Sequence, residues 1–440
     1  MIEKIKNFYA KYKQYIILIT MTSLLFFAGF WEPFWMIACG FAFLFFTTCS
    51  FGEMFGYVLY FTLFSKIGTF YIYMLLSAFL IVVVKYIIDL VKKREKFFAV
   101  PFVLTTVFVL VFSLINYEFA YSGVEQGGLI IALLYVCYFA FVYRKQINVR
   151  RCFELIMMGI VISGLLGATS LLFDGFNYSI IHNDRIYKRL MLFCYHQNHL
   201  AMVCAFAISY FIYLIVNKKA KWYIESVYIA ICLIVGLLTL SKAFMLMCVG
   251  FVGYLCIYLI AKYKWKSLKV IVPVFAIMAV FCLVCYDFVG NVFERFLAYN
   301  TKSSLINRIT TGRSAIWYEY INTITSSIPT MLFGFGLFNS ELILIGAHNV
   351  LIFFAYRVGV LGLMALGLLC YSYFKASETK IKITYKNMLL FLTFIILSFN
   401  EMIFSDRFAF FLILGVILMI PEKKEESKEA DLEKVENEQN

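Results

Sequence analysis

Apolar runs recur along this chain, separated by short polar segments that are often basic, and runs of about 17 to 25 residues are the length a helix needs to cross a bilayer. Read this way, the pattern predicts spans near 15–31, 33–49, 51–66, 68–90, 97–116, 128–143, 153–173, 198–216, 222–240, 243–261, 268–287, 347–374, 386–402 and 407–421. The expected fold class is all-α, a polytopic transmembrane helical bundle of about 12–14 spans. The run at 51–66 is short and carries Glu53; a re-entrant segment there would break the parity of the count.

Basic clusters set the orientation. Lys4, Lys6, Lys11 and Lys13 place the amino terminus in the cytoplasm, and Lys92, Lys93, Arg94 and Lys96 mark another cytoplasmic loop. Arg144 to Arg151, Lys218 to Lys221, Lys262 to Lys269, Lys375 to Lys386 and the charged tail then fall on the same side. The chain divides into amino-terminal spans (1–287), an extracytoplasmic segment (288–346), carboxy-terminal spans (347–421) and a disordered cytoplasmic tail (422–440). Within the outer segment, SAIWYEYINTITSSI has the periodicity of a helix lying along the interface.

Composition removes the alternatives to a membrane protein. Hydrophobic residues make up 63% and charged residues 15% of 440, and mean hydropathy is +0.86. The net charge of +13 lies largely in short loops, so it reports orientation and argues against nucleic-acid binding. The twelve cysteines lie almost entirely in apolar runs, where a thiol acts as a small hydrophobe. Cys282 and Cys285 form a C-x-x-C without a second ligand pair, and His196 and His199 lack an acidic cluster nearby in sequence, so no metal and no cofactor are expected.

Polar groups gather at 307–362, where Arg308 and Arg313 precede a turn at Gly334 and Gly336, and His348-Asn349 opens a long apolar run. A lone His-Asn at a helix start is ordinarily a cap. Here it is followed by nine residues and then Gly359-Val360-Leu361-Gly362. That spacing resembles the outer-loop signature of the O-antigen ligases and polysaccharide polymerases. Thr311-Gly312-Arg313 with Ile316-Trp317, and Phe333-Gly334-Phe335-Gly336, are similar to the family's Gly-Arg, Trp and Gly-x-Gly segment. Cys194 to Ala201 resembles its asparagine motif around Asn198, with Gln197 where proline is usual; Ser241-Lys242 resembles its Ser-Arg corner, with Lys for Arg. The likeness covers 190–375.

The resemblance implies a GT-C-like bundle and a metal-independent, inverting glycosyl transfer on the outer membrane face, from a sugar chain on a polyprenyl diphosphate to a sugar hydroxyl. It assigns His348 as the base, with Arg313 and Lys242 holding the diphosphate. Asn349, Arg308, Arg189, Asn198 and Trp317 are the expected substrate contacts. The residue chemistry agrees, because a leaving diphosphate needs fixed cations and a hydroxyl needs a base. Lys242 stands on the outer side against the positive-inside trend, which favours an anion contact. Arg357, nine residues into the run and about 14 Å deep at 1.5 Å per residue, reads instead as a structural ion pair with Glu401 or Asp406, facing away from His348 in a straight helix. Arg313 alone would serve as an interfacial anchor, and Trp317 belongs by default to an aromatic belt.

The expected function is a capsule, exopolysaccharide or O-antigen polymerase in the cytoplasmic membrane. Its partners are polyprenyl-diphosphate-linked oligosaccharides, the lipid bilayer and a chain-length regulator. Two alternatives are an O-antigen ligase moving a finished glycan to another acceptor and, in a different class, a lipid-linked sugar transporter or flippase.

Overall fold

A computed structural model describes residues 2–28, 31, 33–65, 70–92, 94, 97–115, 121–170, 177–182, 185–190, 192, 194, 197–219, 221–269, 313–339, 347–376 and 388–400, with isolated positions between 272 and 290. In chain order the helices are α1 (Ile2–Ala28), α2 (Phe34–Thr48), α3 (Phe51–Thr62), α4 (Phe70–Val91), α5 (Ala99–Leu114), α6 (Tyr121–Val142) and α7 (Val149–Ser170). After two short strands come α8 (Gln197–Val216), α9 (Trp222–Leu238), α10 (Lys242–Tyr263), α11 (Arg313–Ile324), α12 (Ile328–Phe333), α13 (Val350–Ala376) and α14 (Met388–Asn400). The strands β1 (Asn177–His182) and β2 (Arg185–Leu190) pair antiparallel. They are a short hairpin in an otherwise helical structure, within the 174–197 segment expected to lie outside the membrane. Ile- and Tyr-containing runs on either side of an Asn-Asp pair carry the chemistry of a hairpin.

Four helices are long and apolar enough to cross a membrane: Phe70–Val91, Gln197–Val216, Lys242–Ser267 and Val350–Tyr373. Six shorter apolar helices accompany them among the described residues. Of the fourteen expected runs, those at 268–287 and 407–421 lie wholly or mostly outside the described residues. Exposure separates the helices by role. In α4, Leu76, Leu80, Val84 and Ile87 form an exposed stripe, while Tyr71, Met74, Ala78 and Val82 are buried on the other side. An apolar stripe of that length facing outward suits lipid and not water. Helix α8 is the opposite case, with 83% of its apolar window inside the protein. It is the axis against which α9, α10 and α14 pack.

The run at 51–66 forms a short interior helix. Ser50 accepts from the Glu53 amide while Glu53 accepts from the Ser50 amide, a reciprocal cap that starts α3 at Phe51. Its twelve residues extend about 18 Å, and nearly all are buried against α4 and α7. Shorter than the run at 51–66, α3 is not among the described helices long and apolar enough to cross a membrane. Hydroxyl pairs cross between helices at Thr22 and Tyr60 (2.7 Å), Tyr86 and Tyr138 (2.6 Å), and Ser209 and Thr393 (2.6 Å). Such pairs fix register where apolar contacts alone would let helices slide.

Contacts sort the helix ends into two faces. On one, Tyr143 donates to Asp89 at 2.9 Å, Arg150 meets the buried Glu225 at 2.9 Å, and Tyr258 donates to the Val216 carbonyl at 3.4 Å. Lys13 and Lys85 cap the last carbonyls of α2, Lys13 on Thr48 and Lys85 on Phe46 and Cys49, where the helix dipole favours cations. Arg144, Arg151, Lys218 and Lys262 belong to the same set of helix ends, so we call it the basic face. A cavity of about 90 Å³ there, lined by Ser50, Lys85, Asp89, Tyr143 and Gln146, has room for several waters and not for a sugar nucleotide.

Removing Arg150 leaves the enclosed Glu225 carboxylate without its cation. R150M is expected to cost about 3 kcal/mol, the low end for breaking a buried pair because Arg150 is itself half exposed. The double variant R150M/E225L is expected to recover most of it. Melting temperatures of the purified variants in detergent check both.

Candidate functional site

The opposite face is organised by a helix that does not run straight. Within α13 the backbone leaves the helix at Gly359 (φ 63°, ψ −170°). A break strands carbonyls that would have accepted from the next turn, and buried carbonyls must find other donors. The Phe335 amide donates to the Tyr356 carbonyl and the Gly336 amide to the Arg357 carbonyl, both at 2.8 Å. The Gly334-Phe335-Gly336 turn therefore completes the broken helix. Its 335 and 336 amides are consumed there, so they do not form a phosphate cradle.

The two chains cross glycine on glycine. Gly334 also adopts positive φ, at 69°. A methyl on Gly334 would fall 2.6 Å from the main chain at Arg357 and Gly359, and one on Gly359 would fall 2.4 Å from the Leu332 carbonyl oxygen. Only residues without a β-carbon permit this approach. Phe335 then stacks on Tyr356 with ring centroids 4.7 Å apart, and Tyr320 of α11 meets the same ring edge-on at 5.3 Å.

The break also bears on the surroundings of Arg357. Leu337 donates to the Phe112 carbonyl at 3.1 Å, and a methyl on Gly362 would lie 3.0 Å from the Phe112 ring. Phe112 is two residues from the end of α5, and Gly127, six residues into α6, abuts Leu337 and Phe338. Residues 337 and 362 thus lie by the ends of α5 and α6 that are away from the basic face, called here the outer ends. Arg357, two residues before the break, binds main-chain carbonyls at that level. Residues 350–358, on the side away from the basic face and called here the outer arm, meet α11 and α12 through Tyr356 and the glycine crossing, and beyond Gly359 the helix meets α5 at Gly362 and Phe112.

Arg357 is fully buried. Its Nη1 donates to the carbonyls of Leu337 (3.4 Å) and Asn339, and its guanidinium carbon stands 5.5 Å and 5.9 Å from the Phe353 and Tyr356 ring centroids. The expected partners Glu401 and Asp406 lie outside the described residues. The break follows Arg357, so it does not turn that side chain toward His348. The role these contacts give it is to hold the 337–339 main chain.

His348 and Asn349 divide their work. Asn349 is buried and its Oδ1 accepts from the amides of Leu351 (2.9 Å) and Ile352 (3.2 Å). That is an amino-terminal cap, which commits the Asn349 carbonyl oxygen to the helix and not to substrate. His348 precedes the helix with φ 47°, left-handed for a residue with a side chain, and is partly exposed. Such a conformation costs about 1–3 kcal/mol and persists where surrounding contacts impose it. One such contact is Trp317, whose indole Nε1 donates to the Ala347 carbonyl at 2.8 Å. Trp317 was expected to meet substrate; its polar edge instead fastens the residue before His348. Arg313 begins α11 one turn earlier, on the same helix face as Trp317, which brings it to the His348 end of the outer arm.

The remaining expected residues form a second group. Asn198 and Lys242 start α8 and α10, which run parallel and touch, so both sit at the same end of neighbouring helices. Leu240, before the Ser241-Lys242 corner, is left-handed as well (φ 51°). Arg189 lies on β2 in register with Tyr178, and β2 rests against α9. Helix α14 packs against α8, α10 and α13 and so links the two groups. Arg308, Thr311, Gly312 and His196 lie outside the described residues, as do Cys282 and Cys285. Among the described residues no cluster of three or more His, Cys, Asp or Glu side chains has metal-binding geometry.

No protein-family model, curated protein or solved structure matches the chain.

The glycine crossing sets a clear expectation. G334A and G359A should each lose at least about 1–3 kcal/mol, and the double variant should lose less than the sum because both relieve or strain one contact. Melting curves of the three variants measure this.

Proposed function

We propose that this protein is a polysaccharide polymerase of the cytoplasmic membrane, joining polyprenyl-diphosphate-linked oligosaccharide repeats on the outer face. The observation that carries the reading is the convergence just described. Trp317, the Gly334-Phe335-Gly336 turn, His348-Asn349 and Gly359 are spread over more than forty residues of sequence, yet they interlock around one outer arm. Two pieces of the resemblance, the Trp and Gly-x-Gly segment and the His-Asn to Gly359 interval, thus meet in a single device at His348, with Arg313 one turn before Trp317 on α11. The polar devices sit on the face opposite the basic one, as an extracytoplasmic site requires with both termini inside.

In this reading the donor enters from the bilayer with its diphosphate near Arg313 and Lys242. His348 takes the proton from a hydroxyl of the acceptor sugar, since imidazole accepts a proton near neutral pH. The freed oxygen attacks the anomeric carbon from the side opposite the diphosphate. The carbon–oxygen bond to phosphate breaks, its electron pair leaves with the lipid diphosphate, and configuration inverts. Fixed cations favour this step by meeting charge that grows as the bond opens. Asn198 and Arg189 lie at the same end of the bundle, where the growing chain would pass, and Arg308 belongs to the approach.

Purified protein in detergent, given lipid-linked repeat units with EDTA and without nucleotide, is expected to yield a ladder of polymer. H348A should lower turnover by at least about 100-fold, and R313A by about 100-fold. W317F keeps an aromatic ring but loses the indole N–H that bonds Ala347, together with the bulk of the five-membered ring, so a fall of about tenfold is expected. An undiminished ladder from H348A would sink the assignment. A wild-type sample that only translocates intact units in vesicles would point to a transporter.

A further inference from the structure

Asn339 is the residue of the outer face that the mechanism above leaves unexplained. Its side chain is 1% exposed, and neither Oδ1 nor Nδ2 has a hydrogen-bond partner among the described residues. Buried amides are nearly always satisfied, so an exception asks for an occupant. The main chain around it is not slack. The Asn339 carbonyl accepts from the buried Arg357 guanidinium, the Leu337 carbonyl does the same at 3.4 Å, and the Leu337 amide donates to Phe112 at 3.1 Å. A carboxamide on so fixed a backbone is presented and not merely tolerated.

Its position fits the donor. Residues 337–339 lie by the outer ends of α5 and α6, the side to which the polymerase reading assigns the donor's diphosphate and first sugar. A carboxamide offers one acceptor and two donors, which matches a sugar hydroxyl or a neighbouring pair of them, each donor and acceptor at once. A diphosphate offers acceptors only and would leave Oδ1 unmet. The chemistry therefore favours the sugar over the phosphate.

We propose that Asn339 is a specificity-determining residue, its carboxamide reading hydroxyl groups on the sugar that carries the diphosphate. This rests on the polymerase reading and adds to it the residue that distinguishes one donor sugar from another. A site built to bond a hydroxyl discriminates strongly, because the wrong ligand leaves the buried amide unpaired.

Two probes and two variants of the full chain in detergent test it. The probes are farnesyl diphosphate, which has no sugar, and the lipid-linked glycans extracted from a strain lacking this gene. The readout is thermal stabilisation against ligand concentration. For wild type the glycan-bearing lipid is expected to bind more tightly than farnesyl diphosphate. N339L should be at least as stable as wild type without ligand, since it removes an unpaired buried amide. It should keep the farnesyl diphosphate response and lose about tenfold in affinity for the glycan lipid. N339D keeps the shape, exchanges the amide donors for acceptors, and should show a similar selective loss. A full glycan response in either variant overturns the proposal. So does an N339L protein markedly less stable than wild type whose N339D counterpart binds the glycan lipid normally, the result expected of an amide that anchors a structural water. A wild type indifferent to both lipids overturns the polymerase reading, and this inference with it.

Discussion

Carbonyl groups released by a broken helix need donors, and the outer face is arranged around meeting that need. Gly359 ends the outer arm of α13, and the amides of Phe335 and Gly336 take up the carbonyls of Tyr356 and Arg357. Once that exchange is made, much else is fixed. The approach requires hydrogen at both Gly334 and Gly359, it brings Phe335 onto Tyr356, and it delivers Leu337 to the end of α5. Arg357 then closes the turn by binding the carbonyls beyond it. The site's rigidity comes from main chain meeting main chain, which is less easily perturbed than a contact between long side chains.

Much of the helical framework was legible from hydropathy because a helix facing lipid and one facing its neighbours are both apolar. For the same reason hydropathy could not tell them apart. It treated α3 as another span, although Ser50 and Glu53 carry the pattern of a reciprocal cap that begins a helix. It likewise read 347–374 as one straight helix. Glycine within an apolar run is tolerated in helices, so Gly359 gave no local warning. Its backbone angle is imposed by a segment 25 residues earlier in sequence, and that is tertiary information.

The site was legible by type more than by role. His348, Arg313 and Trp317 were singled out, and they lie on the arm's entry and on the helix fastened to it, but the Trp317 indole N–H and the Asn349 Oδ1 are spent on the protein itself. The bland reading of Asn349 as a helix cap was the right one. Arg357 was noticed, with a depth reckoned on an unbroken helix, whereas the backbone leaves the helix two residues after it. Asn339 carried no signal beyond its place after a glycine turn; only burial and the lack of a partner draw attention to it.

The outer arm also works as a ruler. From the Asn349 cap to the break at Gly359 the chain makes between two and three helical turns, about 15 Å end to end. One end holds the histidine loop and the other receives the glycine crossing, and α11 bridges the two through Trp317 and Tyr320. Adding or deleting a single residue in the arm would rotate one end by about 100° against the other. The histidine would then turn away from α11 while the crossing stayed in place. Any sequence built on this plan must hold the interval constant while the residues inside it vary, so the spacing, more than the letters between, is what the geometry reads.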